Sequence, residues 1–152
     1  MNTDCPFCNI SKGKPPSHGA SVSQGERVLK EGKYMVVIFS NPRLMLGHLL
    51  VIPKRHVMRL VELTKEERDE LSDLLIEFEE KILQKLSAGC DIRQNYKPYV
   101  PNSRTSVKHF HFHIYPRDLN DELHQATDPH QEPLYRDLPN EEREQLFKLL
   151  SD

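Results

Sequence analysis

The nine residues HFHFHIYPR, at positions 109–117, constrain the fold of this chain more than any other stretch, because three of its eight histidines occupy alternate positions of one apolar run. Successive side chains on a β-strand point to opposite faces, so His109, His111 and His113 share one face while Phe110, Phe112 and Ile114 share the other. The aromatic face belongs to a core. The histidine face belongs to solvent or to a ligand, since burying three imidazoles without partners is costly. Aromatic and β-branched residues are the usual occupants of a surface strand, which favours a functional face over three solvated histidines.

The core face needs a partner, and the sequence offers one. Thr64 followed three residues later by Glu67 forms a capping box, and Leu71, Leu74, Leu75, Phe78, Ile82, Leu83 and Leu86 follow at helical spacing. This predicts one long amphipathic helix over residues 64–87. Upstream, RVLKEG and KYMVVIFS, separated by Gly32, read as an antiparallel pair, and GHLLVIP continues the sheet. Downstream, CDIRQNY returns to extended structure, KPYVPNSRTS is a loop, and VKHFHFHIYP is the clearest strand. The first 26 residues read as a short helical turn followed by loop, and residues 118–137 as irregular. LPNEEREQLFKLL closes the chain as a helix with Pro139 at its start and acids in its first turn. The expected fold class is α+β: a single domain over residues 1–152 with a mainly antiparallel sheet of about five strands, one long helix and a C-terminal helix. Residues 118–152 form an extension of it.

Lys and Arg number 21 against 23 Asp and Glu, so no overall basic field attracts nucleic acid, and an anionic ligand needs a local site. The N-terminus lacks a basic region followed by an apolar run, and nowhere do eighteen apolar residues run together. A cytoplasmic protein without a membrane partner is expected. TKEERDE and NEEREQ read as solvated helix starts, and Lys54 with Arg55 is too short a basic run for a nucleic-acid patch. His18, His124 and His130 lie in polar segments and are expected to be solvated. Cys90 reads as a small buried apolar residue.

Two chemistries compete for the histidine face. Histidines at i and i+2 chelate a metal well, with Cα atoms roughly 7 Å apart, but His109 and His113 are separated by roughly 13 Å and cannot readily share one ion with His111. The three must divide their roles. The alternative is nucleophilic catalysis, in which a neutral imidazole nitrogen attacks phosphorus while the other nitrogen is held protonated. Cys5-Pro-Phe-Cys8 has zinc-ligand spacing, yet a CxxC pair is half a site and needs two more ligands. A redox pair would follow a strand and open a helix, and no strand precedes this one; two unrelated buried thiols are the remaining reading.

SVKHFHFHIYPR resembles the histidine-triad (HIT) motif of a family of nucleotide hydrolases and transferases. GHLLVIPKRH is similar to that family's strand ending in Ile-Pro-Lys-x-His, and CPFCNISKG to its N-terminal zinc segment, here residues 1–15. The resemblance implies a HIT-like fold and assigns the residues. His111 becomes the nucleophile that takes the nucleoside monophosphate, His113 helps to hold the phosphate, Ser106 contacts it through its hydroxyl, and His48 lies at the edge of the pocket. The family's ribose-binding position falls on Ser40, with Asn41 adjacent. Arg104 and Thr105 stand where the family usually has Gly-Gln, which leaves the leaving group unassigned and suggests that Arg104 supplies phosphate charge. The resemblance also completes the cysteine pair: His56 and His109 join Cys5 and Cys8 around a structural zinc, which is the expected cofactor. The implied activity is nucleotide hydrolysis or nucleotidyl transfer at an α-phosphate through a covalent nucleotidyl-histidine, on nucleoside phosphoramidates, dinucleoside polyphosphates or related nucleotides. Two other readings stand beside it: a nucleotide-binding or interaction module with little turnover, and a zinc metalloenzyme using the histidine strand. Members of the family are commonly homodimers, and the long helix and an open sheet edge fit that partner.

Overall fold

Met35, Val36, Val37 and Ile38 are all buried, as are Leu49 to Ile52, because the two strands that contain them lie inside a sheet covered on both faces. In the computed structural model, which describes residues 5–13, 27–127 and 132–151, the strands are β1 (Val28–Glu31), β2 (Met35–Phe39), β3 (Leu49–Pro53), β4 (Gly89–Gln94) and β5 (Phe112–Arg117). They form one five-stranded antiparallel sheet in the order β1-β2-β3-β5-β4. A three-residue connection joins β1 to β2, and a nine-residue loop, 40–48, joins β2 to β3. β5 then inserts between β3 and β4, which leaves β4 as an edge.

Helix α2 (Lys65–Lys85) covers one face. Its Leu71, Leu74, Phe78 and Ile82 pack with Met35, Val37, Leu49, Val51, Phe110 and Ile114 in one cluster, and Phe112 and Leu75 pack against it. The capping box forms as expected: Thr64 Oγ1 accepts from the Glu67 amide at 3.2 Å, and Glu67 accepts from the Thr64 amide at 2.8 Å. Glu67 is itself buried and receives two bonds from Arg55, at 3.1 and 2.8 Å, which tie the segment after β3 to the start of α2. Leu83 and Leu86 depart from the expected stripe and are 41% and 49% exposed: Leu83 lies on the flank that carries exposed Ile76 seven residues before it, beside buried Ile82, and Leu86 is the C-cap. Leu86 instead lies against Gly47, whose φ is +78° and where a Cβ would fall 2.4 Å from Leu86. A side chain at Gly47 is strained by its conformation and would also have to displace Leu86 and the Pro116 ring, whose Cγ would lie 2.9 Å from the Cβ.

The opposite face is covered by the N-terminal helix α1 (Pro6–Ser11): Cys5, Phe7, Cys8 and Ile10 pack on Val36, Ile38, Leu50 and Ile52. The expected strand at residues 107–116 is half right. β5 begins only at Phe112, because the Phe110 amide donates to the Val57 carbonyl at 2.7 Å and the His109 amide curls back to Val107 at 2.9 Å. Those bonds replace the ladder with β3 but preserve the alternation of faces, since Phe110 and Ile114 still reach the α2 core. After β5, the region read as irregular contains a short helix α3 (Glu122–Ala126) and a 3-10 turn, followed by α4 (Asn140–Leu150) with Pro139 as its N-cap. His124 is half-buried at the start of α3, where its amide donates to Asp121, rather than solvated. Cys90 is half-buried against the α2 core. His18, His130 and the loop expected after residue 13 lie outside the described residues.

Candidate functional site

The N-terminal segment and the histidine run meet on the sheet face opposite α2. α1 sets Cys5 and Cys8 one turn apart, the connection after β3 brings in His56, and the curled segment before β5 brings in His109. Cys5 Sγ lies 3.3 Å and Cys8 Sγ 3.6 Å from His109 Nδ1, and Cys8 Sγ lies 3.4 Å from His56 Nδ1. The four ligand atoms are all within 4.8 Å of one another, close enough to hold one metal ion. The protonation chemistry fits a cation. Burial and the neighbouring Cys5 push the Cys8 thiol up to about 11, so two sulfurs packed together in an apolar setting lack a compensating positive charge. The other edge of the His109 ring is committed: its Nε2–H donates to the buried Pro53 carbonyl at 2.9 Å, leaving the Nδ1 lone pair on the cysteine side.

His111 uses its nitrogens the other way round. A carbonyl can only accept, so the contact of 2.6 Å between His111 Nδ1 and the His109 carbonyl places the proton on Nδ1 and the free lone pair on Nε2. Burial lowers the His111 pKa, and the His109 carbonyl partly offsets that, so the ring is neutral near pH 7. A second chain of bonds orients His113. The Leu44 amide donates to His48 Nδ1 at 3.1 Å, which places the His48 proton on Nε2, and that nitrogen lies 3.0 Å from His113 Nδ1. His48 therefore donates, and the proton of His113 is on Nε2. Burial, with the nearby imidazoles adding to it, lowers His48 to about 4 and His113 to about 3. Gly47 turns the chain immediately before His48, and the His48 amide closes that turn on the Met45 carbonyl at 3.2 Å.

Two connected cavities open on these rings. The larger, about 600 Å³, is lined by Ser40, Asn41, His48, Arg104 and Thr105 together with both pocket histidines. The smaller, about 280 Å³, shares Thr105, His111 and His113 and adds Ser106. Every residue expected at the substrate site thus borders one cavity or the other. The Ser40 hydroxyl donates to the Pro42 carbonyl at 2.8 Å, so only its lone pairs remain for a ligand. Tyr115 was absent from the expected site although the alternation that selects His109, His111 and His113 leads to it next. Its ring stacks on His113 at 9° with centroids 5.3 Å apart and lies 4.5 Å from that of His48. Arg27, Arg43 and Phe7 also line the larger cavity and carried no local signal, because each comes from a different part of the chain.

The HIT domain model matches residues 21–120, which contain the whole sheet and α2. The chain belongs to the HIT family. An uncharacterised HIT-like protein of Methanocaldococcus jannaschii is 33% identical over 119 residues, covering 74% of this chain and 78% of that protein. The protein hit of Bacillus subtilis is 32% identical over 122 residues, covering 75% of this chain and 71% of that protein. Among solved structures, a protein of Streptococcus mutans is similar at a TM-score of 0.73 and 25% identity, covering 99% of this chain and 85% of that one. The α+β architecture with a five-stranded antiparallel sheet is therefore the HIT fold, and the triad run sits where the fold brings α1, β3 and β5 together.

Proposed function

We propose that this HIT protein is a nucleotide hydrolase or nucleotidyltransferase in which His111 attacks an α-phosphate and holds the nucleotidyl group covalently. The observation that carries this reading is the bond of 2.6 Å from His111 Nδ1–H to the His109 carbonyl, which leaves Nε2 unprotonated beside a cavity large enough for a nucleoside monophosphate. His113 presents a protonated Nε2 as a donor to a phosphate oxygen, a state supported by the Leu44 and His48 bonds behind it. Ser106 and Arg104 add a hydroxyl and a cation for the same phosphate. In the step, the Nε2 lone pair forms a bond to phosphorus as the leaving group departs with its electron pair. Water then attacks phosphorus, the P–N electrons return to Nε2, and the proton the water loses passes to solvent.

The metal in this reading is structural zinc. Tetrahedral sulfur and nitrogen ligands lie about 3.6 Å apart at zinc's bond lengths, in keeping with the separations of 3.3 to 3.6 Å between sulfur and Nδ1. Cys5, Cys8, His56 and His109 complete four ligands, which favours a fastener for the N-terminus over a catalytic metal. Exposed Ile92 on edge strand β4 and exposed Ile76 and Leu83 on α2 support the expected homodimer. Among the described residues, no helix is long and apolar enough to cross a membrane.

The test is a panel of adenosine and guanosine phosphoramidates, dinucleoside polyphosphates and nucleotide sugars, quenched with labelled substrate. An acid-labile, base-stable phosphoramidate on the wild-type chain, absent from His111→Ala, is the expected result. Adduct persisting in His111→Ala overturns the assignment.

A further inference from the structure

Among the described residues, the walls of the two cavities contain no Asp or Glu, although the chain has 23 of them and a net charge of −2. Cations gather there instead. Arg27, Arg43 and Arg104 border the larger cavity, and Lys97 and Lys108 border the smaller. Among the described residues, Lys97, Lys108 and Arg104 form no ion pair with any carboxylate, so their charge is available to a ligand. The larger cavity offers the apolar and aromatic surface a nucleoside needs, through Phe7, Leu44, Leu50 and Tyr115. A phosphate held where the cavities meet, at His111 and His113, leaves the smaller one for the group that is expelled.

We infer that the smaller cavity is a leaving-group subsite in which Lys97 and Lys108 select a phosphate-bearing leaving group, so that the substrate is a nucleotide joined through a phosphoanhydride. This rests on the reading of His111 as the nucleophile. The chemistry of departure supports it. When Nε2 forms its bond to the α-phosphorus, the bridging P–O bond breaks and the leaving phosphate takes the electron pair as an oxyanion, which is stable near neutral pH without an added proton. An amine leaving group must be protonated as it departs. The two ammonium groups stabilise the first process and disfavour the second, in which the nitrogen must carry positive charge before it leaves with the P–N electrons as a neutral amine. The loop that supplies Lys97 is held by the Val100 amide on the Lys97 carbonyl at 3.1 Å, and Lys108 is placed by its own amide on the Asn102 side chain at 3.0 Å. Both lysines thus come from one constrained segment facing the triad.

The test compares wild-type protein with Lys97→Gln/Lys108→Gln, whose exposed positions leave the core untouched, with the melting temperature as the folding control. The ratio of kcat/KM on diadenosine triphosphate to kcat/KM on adenosine 5′-phosphoramidate should fall at least tenfold in the double variant. In parallel, binding of a diadenosine triphosphate with methylene in place of its bridging oxygens should weaken at least tenfold relative to binding of AMP. An unchanged binding ratio overturns the inference, and so does an unchanged kcat/KM ratio. The two readings separate cleanly: absence of a His111-dependent adduct removes the nucleophile assignment, while the binding ratio judges the lysine subsite without any turnover.

Discussion

His109 and His111 stand two residues apart and point the same kind of ring to the same side of the sheet, yet the structure gives them opposite chemistry. His109 donates Nε2–H to the Pro53 carbonyl and turns Nδ1 to the cysteines, while His111 donates Nδ1–H to the His109 carbonyl and turns Nε2 to the cavity. Burial differs in the same sense: His109 is 3% exposed and borders only the smaller cavity, whereas His111 borders both. The lesson is that a backbone carbonyl decides which imidazole nitrogen is available, and the nitrogen decides the function.

The strongest way to break this comparison is His111→Ala. Turnover should fall at least about 10⁴-fold, near 5.5 kcal/mol in transition-state stabilisation, while bound metal and melting temperature stay close to wild type. Loss of metal in that protein, measured by elemental analysis, would mean that the two rings do not divide their roles. Cys5→Ala or chelation attacks the other side. A site formed only in the folded state adds its binding energy to folding, so stability should drop by about 4 kcal/mol at a thousandfold excess of metal over its Kd, with activity falling as the strand loosens. A melting temperature unchanged after verified metal removal would reject the fastener.

Smaller effects sharpen the account of the pocket end. His48→Phe removes the donor that sets the His113 tautomer and should lower kcat/KM about 10- to 100-fold, roughly 1.4 to 2.7 kcal/mol, with metal retained. A wild-type rate in that variant would detach His113 from the bond chain that begins at the Leu44 amide. The pH dependence of stability gives the mildest test. Folded His48 is held to about 4 and His113 to about 3, below their ordinary 6.5, so between these values the unfolded chain binds more protons than the folded one. Stability should be full above pH 6.5 and decline as pH falls from there toward 3. The decline in melting temperature between pH 7 and 5 should be shallower in His48→Phe, and an equal slope in both proteins would show that His48 is not the group being titrated.

Arg55 gives the comparison a structural footing. Its two bonds to buried Glu67 hold the residue before His56, one of the four candidate metal ligands, against α2, so that cluster is anchored to both covers of the sheet. The pocket end rests on a turn at Gly47 and on loops around Asn41 and Arg104, which is where a binding surface can vary without disturbing the core.

Alternation alone determined which residues of the 109–117 run face the core, and the capping box with its apolar stripe determined α2, because both are local periodicities that the backbone geometry enforces. Family resemblance, written in the same motifs, pointed to the HIT fold and to the four ligands. Tertiary structure decided the rest. Where β5 begins depends on the Phe110 amide finding Val57, fifty-three positions away in the chain, and the exposure of Leu83 beside buried Ile82 depends on which flank of α2 the sheet covers. The protonated nitrogen of each histidine is set by Pro53, His109 and Leu44, and the cationic walls are assembled from residues near positions 27, 43, 97, 104 and 108. Periodicity reports which face a side chain takes, but hydrogen bonds and cavity walls are made by residues distant in sequence, so only the folded chain could bring them together.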